Sequence, residues 1–92
     1  MTEVLSRIQI INDVSEILET RMGVSVPGPL EETTLFFADL GLASIDAVVL
    51  SEEIQAHYAR PLPFQQLMAE IGRRTDRDLS IGELVSFISE NL

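Results

Sequence analysis

Apolar residues recur along this chain at spacings of three and four in four separate stretches, and no stretch has the spacing of two that a strand requires. The first stretch predicts a helix from Thr2 to Met22. Val4, Ile8, Ile11, Leu18 and Met22 form one stripe, widened by Ile10, Val14 and Ile17. Thr2 is the expected cap with Glu3 in the first turn, Arg21 stands at the negative end of the helix dipole, and Gly23 is placed to end the helix in a left-handed conformation. From Val24 to Thr34 both periodicities fail at Pro27-Gly28-Pro29. This is a long loop, pinned across the bundle by Val24, Val26, Leu30, Leu35 and Phe36. Phe36 and Phe37 read as core or core-edge residues, since an aromatic beside a turn is more often packing than a ligand site.

The second helix is predicted from about Ser44 to Tyr58, and its apolar residues form two stripes. Ala47, Leu50, Ile54 and Tyr58 make a core face, whereas Ile45, Val48 and Val49 fall on another side among Asp46, Glu52 and Glu53. An apolar patch rimmed by acid is a usual form of docking surface, although a small bundle also has the option of burying it under the preceding loop. Docking is the preferred reading. The prolines of Arg60-Pro61-Leu62-Pro63 end this helix, Pro63 opens a short third one carrying Phe64, Leu67, Met68 and Ile71, and Gly72 is expected to close it. Arg73, Arg74 and Arg77, interleaved with Asp76 and Asp78, read as a solvated loop. Ser80-Ile81-Gly82-Glu83 fits a capping box that starts a fourth helix, with Ile81, Leu84, Val85, Ile88 and Leu92 as its stripe and Phe87 beside it. The pattern therefore predicts an all-α fold: a small four-helix bundle, one domain over 1–92, with a long loop between helices 1 and 2 and a short third helix.

Composition narrows what such a bundle does. With 46% hydrophobic and 23% charged residues the chain has the make-up of a folded globular protein rather than a disordered one. Its formal net charge of −9 repels nucleic-acid phosphates and anionic membrane surfaces, leaving basic protein surfaces as the natural complement. It has no cysteine, which excludes disulfides and thiolate metal sites, so any working thiol has to come from a prosthetic group. His57, the one histidine, has neither a metal-ligand companion nor a serine and carboxylate arranged for catalysis, and reads as a surface or helix-end residue. No calcium-binding loop with spaced Asp/Asn ligands, central Gly and terminal Glu is present. The expectation is a protein that is not an enzyme, with no catalytic and no metal-binding residues. Met1 is followed by a polar segment of mixed charge rather than a basic start and an apolar run, and no stretch has the length to span a bilayer, so a cytoplasmic location is expected.

The stretch from Leu35 to Tyr58 carries the chemistry, because it leads a Gly-containing turn into Ser44 and straight into a helix. The first turn of a helix presents unpaired N–H groups and partial positive charge, so an anion attached to Ser44, such as a phosphate ester, lies in a favourable field. Asp39-Leu40-Gly41-Leu42-Ala43-Ser44-Ile45-Asp46 resembles the attachment loop of acyl carrier proteins, and the helix pattern resembles that family from Val4 to Leu92. Two positions depart from it: Ala43 stands where the family usually has Asp, and Val49 stands where an acid is common. Ala43 also removes a capping side chain, so the Ser44 hydroxyl is expected to cap its own helix until it is esterified. Phe36-Phe37 is similar to the related peptidyl carriers, but Gly41-Leu42 replaces their Gly pair.

The resemblance implies 4'-phosphopantetheine carried covalently on Ser44, its thiol holding acyl intermediates as thioesters. It implies as partners a phosphopantetheinyl transferase and acyl-loading and acyl-processing enzymes with basic docking surfaces, in fatty acid, polyketide or related natural-product biosynthesis, and a monomeric carrier. Asp39, Ile45, Asp46, Val48, Glu52 and Glu53 are the partner-binding residues that it and the acid-rimmed patch together suggest. Helix 3 of this family flanks the path by which an acyl chain enters between helices. The missing Asp before Ser44, the Pro-rich loop and the longer third-helix segment lean towards secondary metabolism by analogy. Two alternatives stay open: a peptidyl carrier, and an unmodified carrier-like adaptor acting only through protein contacts, for which Ala43 is the best support.

Overall fold

A computed structural model describes residues 6–26 and 28–92. The expected Thr2 cap, together with Glu3 and Val4, lies outside the described residues. The first helix, α1, spans Arg7–Glu16 and continues in a π-helical turn over Ile17–Arg21; α2 spans Ser44–Tyr58, α3 Phe64–Arg73 and α4 Ile81–Asn91. Among the described residues the single β-type pairing is a bridge between Leu35 and Ser80. The fold is thus the all-α four-helix arrangement the pattern predicts.

The start of α1 corrects the expected one. Ser6 is the cap: its hydroxyl accepts the Gln9 N–H at 3.1 Å, and the Gln9 side chain accepts the Ser6 N–H at 2.9 Å. Both arms of a capping box are made there. The core stripe also shifts round the helix. Ile10, Val14, Ile17 and Leu18 are buried, whereas Ile8, placed on the stripe by period alone, is 70% exposed. Continuing that buried line at 3.6 residues per turn would carry Arg21 into the core. The wider turn, closed by the Met22 N–H donating to the Ile17 carbonyl at 3.1 Å, leaves Arg21 exposed and brings Met22 against the core instead. Gly23 then ends the helix at φ +68°, as expected.

The long loop is held as the anchors suggested: Leu30 and Phe36 are buried, and Val24 and Val26 pack against the core. Its far end is stitched to the start of α4. The Ile81 N–H donates to the Thr34 carbonyl and the Phe36 N–H to the Leu79 carbonyl, both at 2.8 Å, and the Gly82 N–H donates to Glu32 at 2.9 Å. Arg7 clamps the same place from α1, with Nε and Nη2 each 2.8 Å from a Glu32 carboxylate oxygen and Nη2 also donating to the Gly82 carbonyl.

Helix α3 does not close at Gly72. It runs through Gly72 to Arg73, and the backbone turns extended at Arg74. The segment after it is more than a solvated loop, since two of its charges are spent internally. Arg74 reaches Glu83 at 2.6 Å and Glu70 at 3.4 Å, so the Arg74 guanidinium holds the Glu83 carboxyl below its ordinary range. Asp78 accepts the N–H groups of Phe37 at 2.9 Å, Ala38 at 3.1 Å and Leu79 at 2.8 Å. Helix α4 begins with the expected box between Ser80 and Glu83 and buries Ile81, Leu84, Val85 and Ile88. Leu92 is not part of that buried stripe: it is 38% exposed. The Phe87 ring packs on that of Phe64 with centroids 4.8 Å apart.

Burial pushes the Asp78 pKa up, but its three backbone donors outweigh that and hold it below the ordinary Asp value. A carboxyl with a depressed folded-state pKa stabilises fully above its unfolded value and loses that contribution as pH falls through the folded one. Asp78→Asn is expected to lower stability near neutral pH by roughly 1–2 kcal/mol, because an amide offers one acceptor oxygen where three donors converge. The same variant should show a shallower loss of stability than wild type below about pH 4, where the wild-type carboxylate is being protonated. Thermal unfolding followed against pH checks both, and equal slopes for the two proteins would remove Asp78 from the acid response.

Candidate functional site

The turn ahead of α2 is built from local bonds. Asp39 closes it from both sides, its own N–H donating to the Leu35 carbonyl at 3.0 Å and its carboxylate accepting the Leu35 N–H at 2.8 Å. The Leu40 N–H also donates to Leu35, and the Gly41 N–H donates to the Phe37 carbonyl at 3.0 Å. Gly41 sits at φ +67°, a conformation in which a side chain would be strained. Beneath the turn Phe36 is 1% exposed, with Phe37 edge-on to it at 5.0 Å. Asp78 grips Phe37 and Ala38 from the other side, so the turn is fixed to the segment leading into α4 as well as to itself.

Ala43 is the cap residue of α2, in extended backbone (φ −107°, ψ 172°), and Ser44 is the first helical residue. Ser44 is exposed, and its hydroxyl makes no hydrogen bond among the described residues, so the expected self-cap is not formed. The reason is positional. A capping side chain works from the extended residue, facing back along the helix to the third N–H, and Ser44 already lies one step inside. Asp46 holds the start instead: its carboxylate accepts the Ala43 N–H at 2.8 Å. The N–H groups of Ser44 and Ile45 are left without a partner among the described residues.

On α2 the two stripes separate as the pattern suggested. Ala47, Leu50 and Ile54 are buried and Tyr58 is half-buried, while Ile45, Val48 and Val49 are exposed. Glu52 is exposed, and Glu53 and Asp46 are partly so. Ser44, Ile45, Asp46, Val48, Glu52 and Glu53 thus share one helix with an open outer side, and Asp39 lies in the turn that precedes it. Along α2 a groove of about 560 Å³ runs between Ala47, Val48, Ser51 and Gln55 on one side and Leu62, Phe64 and Met68 on the other. Gln55 forms part of its lining already satisfied, donating to the Ser51 carbonyl and accepting the Leu62 N–H. A second concavity of about 540 Å³ is lined by Arg7, Arg74, Glu32 and Glu83, whose charges are already paired with one another. The groove beside the Ser44 helix is therefore the better-suited recess.

His57 lies at the helix end with Nε2 3.6 Å from Asp13, whose carboxylate also accepts the Tyr58 hydroxyl at 2.8 Å. Burial first, and then that bond to Asp13, push the Tyr58 phenol upward. This cluster fastens α2 to α1. Among the described residues no group of three or more His, Cys, Asp or Glu side chains is placed to hold a metal ion.

Sequence reasoning missed the internal contacts of three residues, Asp46, Asp78 and Arg74. The Asp46 bond to Ala43 had a readable signal, an acid three residues after an extended position, although the missing capping side chain obscured it. The bonds of Asp78 to Phe37 and Ala38 and the ion pair of Arg74 with Glu83 had none, because those partners lie far away in the chain or on the next helix.

A family model described as a phosphopantetheine attachment site matches residues 12–88 of the chain. No curated protein and no solved structure matched it.

Proposed function

Because this chain belongs to the family of phosphopantetheine attachment domains, the sites of covalent 4'-phosphopantetheine attachment, we propose that Ser44 is the residue that takes the group. The observation that carries this is the geometry of Ser44: an exposed hydroxyl on the first residue of a helix, unbonded among the described residues, beside two N–H groups that have no partner among them either. Those N–H groups and the helix dipole favour the negative charge of a phosphodiester there. In the transfer, the Ser44 oxygen gives up its proton to a base on the transferase and bonds to the phosphorus of coenzyme A nearest the pantetheine, releasing the nucleotide phosphate. The group supplies a terminal thiol on a flexible arm, which a chain without cysteine lacks, and the thiol holds acyl cargo as a thioester.

The protein's own part is presentation. It acts as a monomeric, non-catalytic cytoplasmic carrier of acyl groups, serving fatty acid, polyketide or related assembly, with secondary metabolism preferred. The groove between α2 and α3 gives a tethered cargo partial shelter. Incubation with coenzyme A and a phosphopantetheinyl transferase, followed by intact mass, tests the proposal: one added group is expected. A chain that several competent transferases leave unchanged is instead the unmodified adaptor that Ala43 would suit.

Partner enzymes dock, in this reading, on the open side of α2, with Ile45 and Val48 supplying apolar contact and Asp39, Asp46, Glu52 and Glu53 steering basic surfaces. Steering between exposed charges is screened by salt, the Debye length falling from about 10 Å at 0.1 M to about 3 Å at 1 M. Transferase efficiency is therefore expected to fall as salt rises, and to fall at low salt in Glu52→Lys/Glu53→Lys. A double variant with wild-type efficiency and no salt dependence would take these two residues off the docking surface.

A further inference from the structure

We infer that Asp46 is a positioning residue for the attachment serine: its carboxylate stands in for the cap that Ala43 lacks and so fixes the direction in which the Ser44 hydroxyl is offered. The inference rests on attachment at Ser44.

The three helix starts that have a cap residue of small side chain differ in one respect. At Ser6 and at Ser80 the hydroxyl holds the third helical N–H while the third side chain holds the cap N–H, so each start is tied twice by side chains. At Ala43 the first tie is chemically impossible, because a methyl group accepts nothing. The second remains, as the Ala43 N–H to Asp46 Oδ2 bond of 2.8 Å. It is a bond to a charged acceptor, and so stronger than a neutral one. It is also the one side-chain hydrogen bond on the segment Ala43–Ser44 among the described residues. The extended Ala43 and the helical Ser44 are joined by a single peptide unit. The Asp46 carboxylate holds the peptide plane before Ala43 through the Ala43 N–H, and the Asp46 N–H holds the plane after it through the Ala43 carbonyl at 3.0 Å. The two bonds together fix both planes at Ala43, and with them the residue from which the Ser44 Cα–Cβ bond follows.

The same contact divides the work of the first turn. Four N–H groups open a helix without intrahelical partners of the usual kind. Here Asp46 takes that of Ala43, and the Asp46 N–H closes on the Ala43 carbonyl at 3.0 Å. Those of Ser44 and Ile45 remain for an ester on Ser44. A carboxylate that swung over to these two would compete with the incoming phosphate; held on Ala43, it does not.

The test separates position from charge. With a phosphopantetheinyl transferase and coenzyme A, kcat and KM are measured for wild type, Asp46→Asn, Asp46→Ala and Ala43→Ser/Asp46→Ala. Amide hydrogen exchange at residue 43 is followed in the same unmodified proteins. Asparagine keeps an acceptor oxygen for the Ala43 N–H and loses the charge, so it should raise KM more than it lowers kcat. Alanine loses the tie, and kcat should fall about fivefold, the equivalent of one cap of about 1 kcal/mol, with exchange at residue 43 faster by a similar factor. Serine at position 43 ties the start from the other side and should restore kcat in the Asp46→Ala background. An Asp46→Asn kcat as low as that of Asp46→Ala, or a serine that restores nothing, overturns the inference and leaves Asp46 as a charge felt by the partner alone. If no transferase modifies wild type, attachment at Ser44 is what fails, and the exchange rate at residue 43 still decides whether Asp46 holds the turn.

Discussion

Ser44→Ala is expected to take up no phosphopantetheine at any transferase concentration or salt, while wild type gains one group by intact mass. The loss is complete because in the proposed attachment the Ser44 hydroxyl oxygen is the atom that becomes the ester, and the turn from Leu35 to Ala43 has no other hydroxyl. The substitution is also clean. Ser44 is exposed, its hydroxyl holds no bond among the described residues, and alanine is a good helix former, so far-UV circular dichroism and melting temperature should stay close to wild type. Several other hydroxyls are engaged within the fold: Ser51 donates to the Val48 carbonyl at 2.7 Å, Thr20 donates to the Glu16 carbonyl, and Ser6 and Ser80 cap helices. A folded Ser44→Ala protein that gains the group as wild type does would place attachment on a different residue.

Leu50→Ala and Ile54→Ala are expected to unfold far more easily than Ile45→Ala and Val48→Ala, although all four lie on one helix. Leu50 is 2% exposed and Ile54 0%, against 67% for Ile45 and 50% for Val48. Truncating a buried Leu or Ile costs roughly 2–5 kcal/mol, in transfer free energy and in the cavity left behind. That is a large share of the ~5–15 kcal/mol that holds a domain folded. At a shift of about 4–8 °C per kcal/mol for a chain of this size, each buried truncation should lower the melting temperature by about 8 °C or more. The two exposed ones should stay within about 0.5 kcal/mol of wild type. Transferase efficiency should sort the same variants the other way, Ile45→Ala and Val48→Ala losing activity while remaining folded. Equal destabilisation in all four would mean that the outer stripe is buried in solution, and the docking surface would go with it.

Some elements were legible because their causes are local. Helix α2 runs from Ser44 to Tyr58 as read, since a Gly turn precedes it and Pro61 follows it, and its two stripes separate cleanly. Gly23 and the Ser80 and Glu83 box needed no distant partner either. Others were illegible for the opposite reason. Gly72 reads as a stop, yet the neighbouring Leu67 and Ile71 are buried and carry the helix one residue past it. Arg74 and Asp78 read as loop charges because Glu83, Phe37 and Ala38 are brought to them by the fold alone.

By itself, then, the sequence determined the helices of the fold, the placing of a lone serine at the start of the second, and the absence of a thiol of the chain's own; these follow from side-chain period, backbone stereochemistry and composition. Helix α1 shows where that determination ends. It is apolar on more than one side, and period alone favoured the line through Ile8. Packing against α4 and α2 chose the line through Ile10, Val14 and Ile17, with a π-helical turn to keep Arg21 out of the core. The tie on the Ser44 turn was decided in the same way. A hydroxyl one residue too far inside the helix has no N–H to cap, and the carboxylate of Asp46, brought round by the first helical turn, closes the start from the other end.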